Sequence, residues 1–327
     1  MKKVFLFITL ISASFFWFSC DKEVDLLAEY EDIPIVYGLI NPGDSVSYIR
    51  IEKAFLTDGD IFESAAIPDS NLYPYKLDVR MYSDNMSITF DTMTIHDKED
   101  GVFYAPDMQV YYAVTNDLLN DNDVYYLEIK NAVTGKIITS STTLIDASRI
   151  KFDYPNLNIA FARGLGDDDF VDKEIDFNSI IGGRTYQLNI RFHYSEYNIE
   201  SGDSTLHHID WILPTVVSNY LDGGDYISFP YQGRNFYSNL LENIPYKENI
   251  ERYSGKVELI ISVADETLNV YLDINKPSTS LVIDRPSFTN IENGYGIFAS
   301  RSHGGGLYSL NTYSLSKLRS YDQLNFK

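Results

Sequence analysis

The stretch Ile35-Val36-Tyr37-Gly38-Leu39-Ile40, Asn41-Pro42-Gly43-Asp44, Ser45-Val46-Ser47-Tyr48-Ile49-Arg50-Ile51-Glu52-Lys53 reads as strand, turn and strand. Its middle is turn chemistry: proline presets one backbone angle, glycine tolerates the left-handed region, and Asn and Asp side chains bond back to nearby backbone. After the turn, Ile49, Ile51 and Lys53 share one parity, and Tyr48, Arg50 and Glu52 share the other. That period of two marks a strand with one buried face. Further along, Leu77, Val79 and Met81 alternate in the same way. Tyr125, Leu127 and Ile129 alternate with Tyr126, Glu128 and Lys130, and Thr134-Gly135 turns the chain into residues 136–143. No long helical periodicity and no internal repeat intervenes. Residues 31–146 therefore predict an all-β unit of about seven strands, an immunoglobulin-like β-sandwich. A change of composition over residues 140–147 places the boundary there.

Residues 147–327 predict a larger, sandwich-like β-rich domain with one or two short helices. Its clearest unit is a hairpin around Ser201-Gly202. With those two residues as the loop, Tyr194 faces Ile209, Phe192 faces Trp211 and Ile190 faces Leu213, three apolar pairs in one register. Parity slips near Ser195 and Glu196, which predicts a bulge or a longer loop there. Residues 256–263 predict another strand. Asp265 reads as an N-cap, with Leu268, Tyr271 and Leu272 at helical spacing. A second short helix is expected over residues 237–243, before Pro245. Both helices are expected to plug an open end or an edge of a sandwich.

The chain has 327 residues, with 26 Lys and Arg against 47 Asp and Glu, and its net charge of −21 disfavours contact with phosphate backbones. Its one cysteine excludes an intramolecular disulfide and a thiolate zinc cluster. Aromatic content of 14%, with 26 tyrosines, is too high for a disordered acidic chain.

That cysteine stands behind a secretion signal. Lys2 and Lys3 precede an apolar run over residues 4–18, shorter than the roughly 20 residues that span a bilayer. Ser19-Cys20 then resembles a bacterial lipobox, in which residues 1–19 are removed and Cys20 is acylated, with Phe18 bulkier than the usual pattern. The alternative is a buried cysteine beside an ordinary signal peptide. Acyl chains anchor firmly, since each buried CH₂ adds about 0.8 kcal/mol. Removal of Lys2 and Lys3 lowers the charge to −23. Residues 20–30 form a lipidated acidic tether. Within it, Asp21, Lys22, Glu23 and Asp25 resemble the export signal that sends Bacteroidota lipoproteins to the outer leaflet; a solvated acidic linker is the plainer alternative.

Two stretches carry a wider resemblance. One is Val36-Tyr37-Gly38-Leu39-Ile40-Asn41-Pro42-Gly43-Asp44 with Tyr48-Ile49-Arg50-Ile51-Glu52-Lys53-Ala54-Phe55-Leu56 and Asp69-Ser70. The other is Phe288-Thr289-Asn290-Ile291-Glu292-Asn293-Gly294-Tyr295-Gly296-Ile297-Phe298-Ala299-Ser300-Arg301. Together they resemble Bacteroidota outer-membrane lipoproteins of unknown function, often found beside TonB-dependent receptors. The resemblance implies a location and a fold and brings no catalytic residues.

Candidate chemistry is sparse. The hairpin register sets His193 opposite Asp210, with His208 on the same face, a set that could ligate zinc but that reads more simply as a polar sheet surface. Ser302-His303-Gly304-Gly305-Gly306 resembles the oxyanion loop of esterases, yet no Gly-x-Ser-x-Gly elbow accompanies it, so residues 304–306 read as a flexible loop. Asp58-Gly59-Asp60, Asn120-Asp121-Asn122-Asp123 and Asp167-Asp168-Asp169 lack the spacing of a calcium loop. Pro230-Tyr231-Gln232-Gly233-Arg234-Asn235-Phe236-Tyr237 is the best candidate recognition loop, with Tyr231, Arg234, Phe236 and Tyr237 as its contacts; tyrosines covering a sandwich edge are the alternative. No cofactor is expected. The expected function is that of a non-enzymatic, surface-exposed outer-membrane lipoprotein serving an outer-membrane complex, such as one built on a TonB-dependent receptor. A surface glycan- or peptide-binding module is the alternative.

Overall fold

The computed structural model of the chain describes residues 31–57, 59–116, 118–121, 123–276 and 287–327. Its strands are β1 (Pro34–Ile40), β2 (Val46–Lys53), β3 (Asp78–Tyr82), β4 (Ser87–Thr89), β5 (Asp91–Ile95), β6 (Met108–Val114), β7 (Val124–Lys130) and β8 (Ile137–Thr143) in the first part. The second part holds β9 (Asn158–Ile159), β10 (Asp172–Asn178), β11 (Thr185–Asn198), β12 (Ser204–Ile212), β13 (Val216–Val217), β14 (Tyr226–Gln232), β15 (Ile250–Ala264) and β16 (Tyr295–Leu310). The described helices are α1 (Ile61–Ala65), α2 (Pro68–Asn71), α3 (Gly233–Asn243), α4 (Glu266–Asn275) and α5 (Thr312–Arg319). The all-β, sandwich-like class read from the sequence is the observed one.

One ten-stranded sheet has the order β12-β11-β15-β16-β1-β2-β6-β5, with β13 added to β11 and β9 to β16. Two smaller sheets cover it. The four-stranded sheet β4-β3-β7-β8 faces the β1 end, where Ile49, Ile51 and Tyr111 meet Leu77, Val79, Met81, Tyr125, Leu127 and Ile129 in one buried cluster. The ribbon β10-β14 faces the β11 end, where Leu188, Ile190, Phe192, Leu259 and Ile261 meet Ile175, Phe177, Ile227 and Phe229. The alternating residues of the sequence are thus the inner faces of two sandwiches.

The last long strand joins them. Residues 295–300 of β16 pair in parallel with residues 35–40 of β1, and residues 301–308 pair antiparallel with β15. The two stretches of the family resemblance are therefore neighbours in the sheet. Phe298 enters the first core, while Ile297 and Ala299 lie on the opposite face beneath α4, packed with Leu268 and Tyr271. A parallel pair is normally covered on both faces, and here α4 supplies the second cover. Asp265 caps α4 as expected, accepting the Leu268 N–H at 2.8 Å. The helix lies over a sheet face, and does not plug an open end. Gly296 is required at its position: its φ is +102°, and a Cβ there would come within 1.9 Å of the Val36 carbonyl oxygen.

Residues 302–306 belong to β16, which corrects the expectation of a flexible glycine loop. The connection between the two sandwiches crosses this strand, and Ile145 and Ala147 are buried there. The Ser300 and Ser302 hydroxyls accept their N–H groups at 3.0 and 2.9 Å. A Cβ on Gly304 would stand 1.9 Å from the Ala147 carbonyl oxygen, so glycine is what lets the two backbones touch.

The hairpin register also needs correction. Ile190 pairs with Trp211, Phe192 with Ile209 and Tyr194 with His207, two residues away from the expected register. Its turn is longer, closing at the Asn198–Asp203 backbone bond of 2.9 Å. The Asn198 side chain organises it by accepting the N–H groups of Glu200 and Ser201 at 2.9 and 3.1 Å. The β11–β12 ladder passes through Ser195 and Glu196 unbroken. The irregularity lies on the other side of β11, between Phe192 and Tyr194, where β15 bulges at Gly255 and Lys256.

Phe298→Ala is expected to destabilise the protein by about 3–5 kcal/mol, by removing a ring from the first core. Gly304→Ala is expected to cost about 1–3 kcal/mol by forcing strand and connection apart. Urea unfolding of both variants beside the parent chain, with losses below half of these values, would contradict the straddling role given to β16.

Candidate functional site

The expected lipidation residue, Cys20, and the expected export-signal residues Asp21, Lys22, Glu23 and Asp25 lie outside the described residues. Near the start of the described residues, the Asp32 carboxylate accepts the Tyr73 hydroxyl at 2.6 Å and the Asn131 amide at 3.0 Å.

The expected recognition loop is not a loop. Tyr231 lies within β14, and Arg234, Phe236 and Tyr237 belong to α3, which begins at Gly233. Tyr231, Phe236 and Tyr237 are 3%, 2% and 1% exposed, so their rings cannot stack on an external ligand. Phe236 stacks on Phe161 with ring centres 3.9 Å apart. The Tyr231 hydroxyl donates to the Ala160 carbonyl at 2.8 Å, and the Tyr237 hydroxyl donates to the Ser314 carbonyl at 3.0 Å. Burial raises both phenol pKa values. Arg234 stays outside, paired with Asp168 at 2.9 Å over the Phe170 ring. The reason is helical periodicity: once Gly233 starts a helix, Phe236, Tyr237 and Leu240 fall on its inner face.

The candidate metal set is likewise rearranged. His193 stands opposite His208, and Asp210 stands opposite Arg191. Arg191 grips the Asp210 carboxylate with two bonds of 2.7 and 3.0 Å and holds its carboxyl below the ordinary range. His193 bonds Glu258 at 2.8 Å, and His208 is 4.0 Å from Asp210. Each group already has a partner, and among the described residues no three His, Cys, Asp or Glu side chains are placed to hold a metal ion. The acidic clusters act locally: Asp60 caps α1, and Asp169 accepts the Gly166 N–H at 2.9 Å.

Two features escaped the sequence reading. The first is a buried ion pair. Glu196 faces the core beside Tyr194 and is 6% exposed, and Arg252 is fully buried. The guanidinium donates to the Glu196 carboxylate at 2.8 and 3.0 Å and to the carbonyls of Leu324 and Pro245 at 2.9 and 2.8 Å. Burial raises the Glu196 pKa, but hydrogen bonds from Lys247 and Arg252 outweigh it and leave the carboxyl below its ordinary value. This carboxylate produced the parity slip at Ser195 and Glu196: a charge occupies a core position.

The second is a cleft of about 560 Å³ between the end of β12, the β10-β14 ribbon and the first turn of α3. Trp211, Pro214 and Pro230 supply apolar surface to its lining, and Asp172, Gln232 and Asn235 supply polar groups. Asn239 of α3 donates to the Asp210 carbonyl at 3.2 Å, covering the edge of β12 beside the cleft. A further cleft of about 520 Å³ opens at the waist, where Arg149 bridges Asp121 and Asp146 at 2.9 and 3.4 Å. No family model matches the chain, and neither a curated protein nor a solved structure matches it.

Arg252→Met strands the Glu196 charge and is expected to cost about 3–5 kcal/mol in urea unfolding, while Arg252→Met with Glu196→Leu recovers part of that loss. The pair also sets an acid response. Because the folded carboxyl is more acidic than its ordinary 4.5, the unfolded chain protonates first as pH falls. The stabilisation is complete above about 4.5 and is lost below it. Glu196→Gln should flatten that part of the pH–stability curve, and an unchanged curve would remove the assignment.

Proposed function

We propose that this chain is a lipid-anchored, non-enzymatic protein of the outer membrane, facing the exterior and serving as an accessory subunit of an outer-membrane complex. The observation that carries this reading is the single cysteine, Cys20, placed directly behind a basic and apolar leader. An acylated residue 20 would hold the fold through the acidic tether of residues 20–30. The resemblance to Bacteroidota outer-membrane lipoproteins supports the same address and suggests a TonB-dependent receptor as the kind of partner. The chain lacks the nucleophile elbow that its Ser302 to Gly306 segment would need for ester hydrolysis, which favours a binding or assembly role. Among the described residues, no helix is long and apolar enough to cross a membrane.

Growth with a labelled fatty acid tests the anchor: the parent chain should carry label and sediment with membranes, and Cys20→Ala should do neither. Equal labelling of both would refute lipidation at this residue. Affinity purification of the full mature chain under mild detergent tests the accessory role. It should recover a stoichiometric membrane partner, and recovery of the monomer alone would count against it. Protease shaving of intact cells should remove the chain from the surface; protection until lysis would place it on the inner leaflet.

A further inference from the structure

We infer that the cleft beside Trp211 is a binding site for a neutral oligosaccharide. Its volume of about 560 Å³ lies in the range of small-ligand sites. Its lining combines two chemistries. Trp211 is packed on the core along part of its surface and lines the cleft beside Pro214 and Pro230, an apolar surface for the C–H face of a pyranose ring. The same lining carries a carboxylate, Asp172, and two amides, Gln232 and Asn235, all exposed, with Asp172 paired with Gln232 across the ribbon and Gln232 two residues from Pro230 along β14. None of these three side chains makes a hydrogen bond to a described residue, so their acceptors and donors are open to a ligand. Carboxylates and amides are the groups that match sugar hydroxyls, which both donate and accept.

Charge and backbone narrow the ligand further. The charged lining residues are Asp172, Glu174 and Lys173, and the Lys173 ammonium sits 4.0 Å from the centre of the Tyr154 ring. Among the described lining residues Lys173 is the single cation against two carboxylates, and the chain carries −21 overall, so an anionic ligand is disfavoured. An extended peptide is disfavoured for another reason. Pro214 and Pro230 have no N–H to donate, and Asn239 of α3 already occupies the Asp210 carbonyl on the neighbouring β12 edge, so a ladder to an added strand would be interrupted at these positions. This inference is independent of the lipid anchor.

The chain holds two tryptophans, Trp17 and Trp211. Removal of residues 1–19 leaves Trp211 alone, so tryptophan emission reports directly on the cleft. The full mature chain, in a zwitterionic detergent without sugar head groups, is titrated with maltohexaose, cellohexaose, xylohexaose and mannohexaose. A neutral unstructured peptide serves as the comparison. At least one hexasaccharide is expected to give a saturable change in emission. Asp172→Ala, Gln232→Ala and Asn235→Ala should each weaken it about tenfold, one lost hydrogen bond apiece. These exposed residues leave the core intact, and an unchanged melting curve verifies that. The inference is overturned if no hexasaccharide produces a saturable change, if the three substitutions leave the affinity unaltered, or if only the peptide responds. None of these results bears on acylation of Cys20, which the fatty-acid labelling decides separately.

Discussion

The fold depends on one backbone pairing, the parallel ladder between residues 35–40 of β1 and residues 295–300 of β16. It joins segments about as far apart in the sequence as the fold allows, and it turns two sandwiches into one continuous sheet. Everything near it is arranged to make that approach feasible. Gly296 removes a Cβ that would strike Val36, and the Asn290 amide binds both the N–H and the carbonyl of Phe298, at 2.9 and 2.7 Å. Asp265 gathers the neighbouring elements. One of its oxygens caps α4 at Leu268, and the other accepts the Ser300 N–H at 2.8 Å and the Thr142 hydroxyl at 3.0 Å. Burial raises the pKa of this carboxyl, and those three donors oppose the rise.

The other end of the molecule is closed by charge. The Arg252–Glu196 pair is buried, and such a pair is held only when the remaining donors and acceptors are also satisfied. Here they are, because the guanidinium reaches two carbonyls that belong to the connection after α3 and to the C-terminal turn. The backbone of Arg252 adds two more bonds, accepting from Lys327 at 2.9 Å and donating to Asn325 at 3.0 Å. The first sandwich is therefore completed by residues 295–300 of β16 and the second by residues 322–327, both far in sequence from the strands they close on.

Much of the architecture was legible. Leu77, Val79, Met81, Tyr125, Leu127 and Ile129 alternate because each strand has one face in a core, and all six are buried. Asp265 was readable as a cap, since a carboxylate before a helical run has one local use. The hairpin register was not legible to better than two residues. Side chains repeat every second position along a strand, so a slip of two leaves the same residues inside. The decision rested on the Asn198 side chain, which organises a longer turn than Ser201-Gly202 would make. The aromatic run at Tyr231 to Tyr237 misled for a related reason: aromatic richness marks binding surfaces and cores alike, and only packing against Phe161 and Ser314 separates them.

Local chemistry was enough to set the all-β class and the alternating inner faces, and to single out one cysteine behind an apolar leader, because those signals lie within a few neighbouring residues. Strand order, the crossing at Gly304, the buried Arg252 and the cleft beside Trp211 came from contacts between distant segments. Asp172, Trp211 and Asn235 share no spacing that a one-dimensional reading could detect. They meet because two edges and the start of a helix pack against one core, and that meeting exists only once the chain has folded.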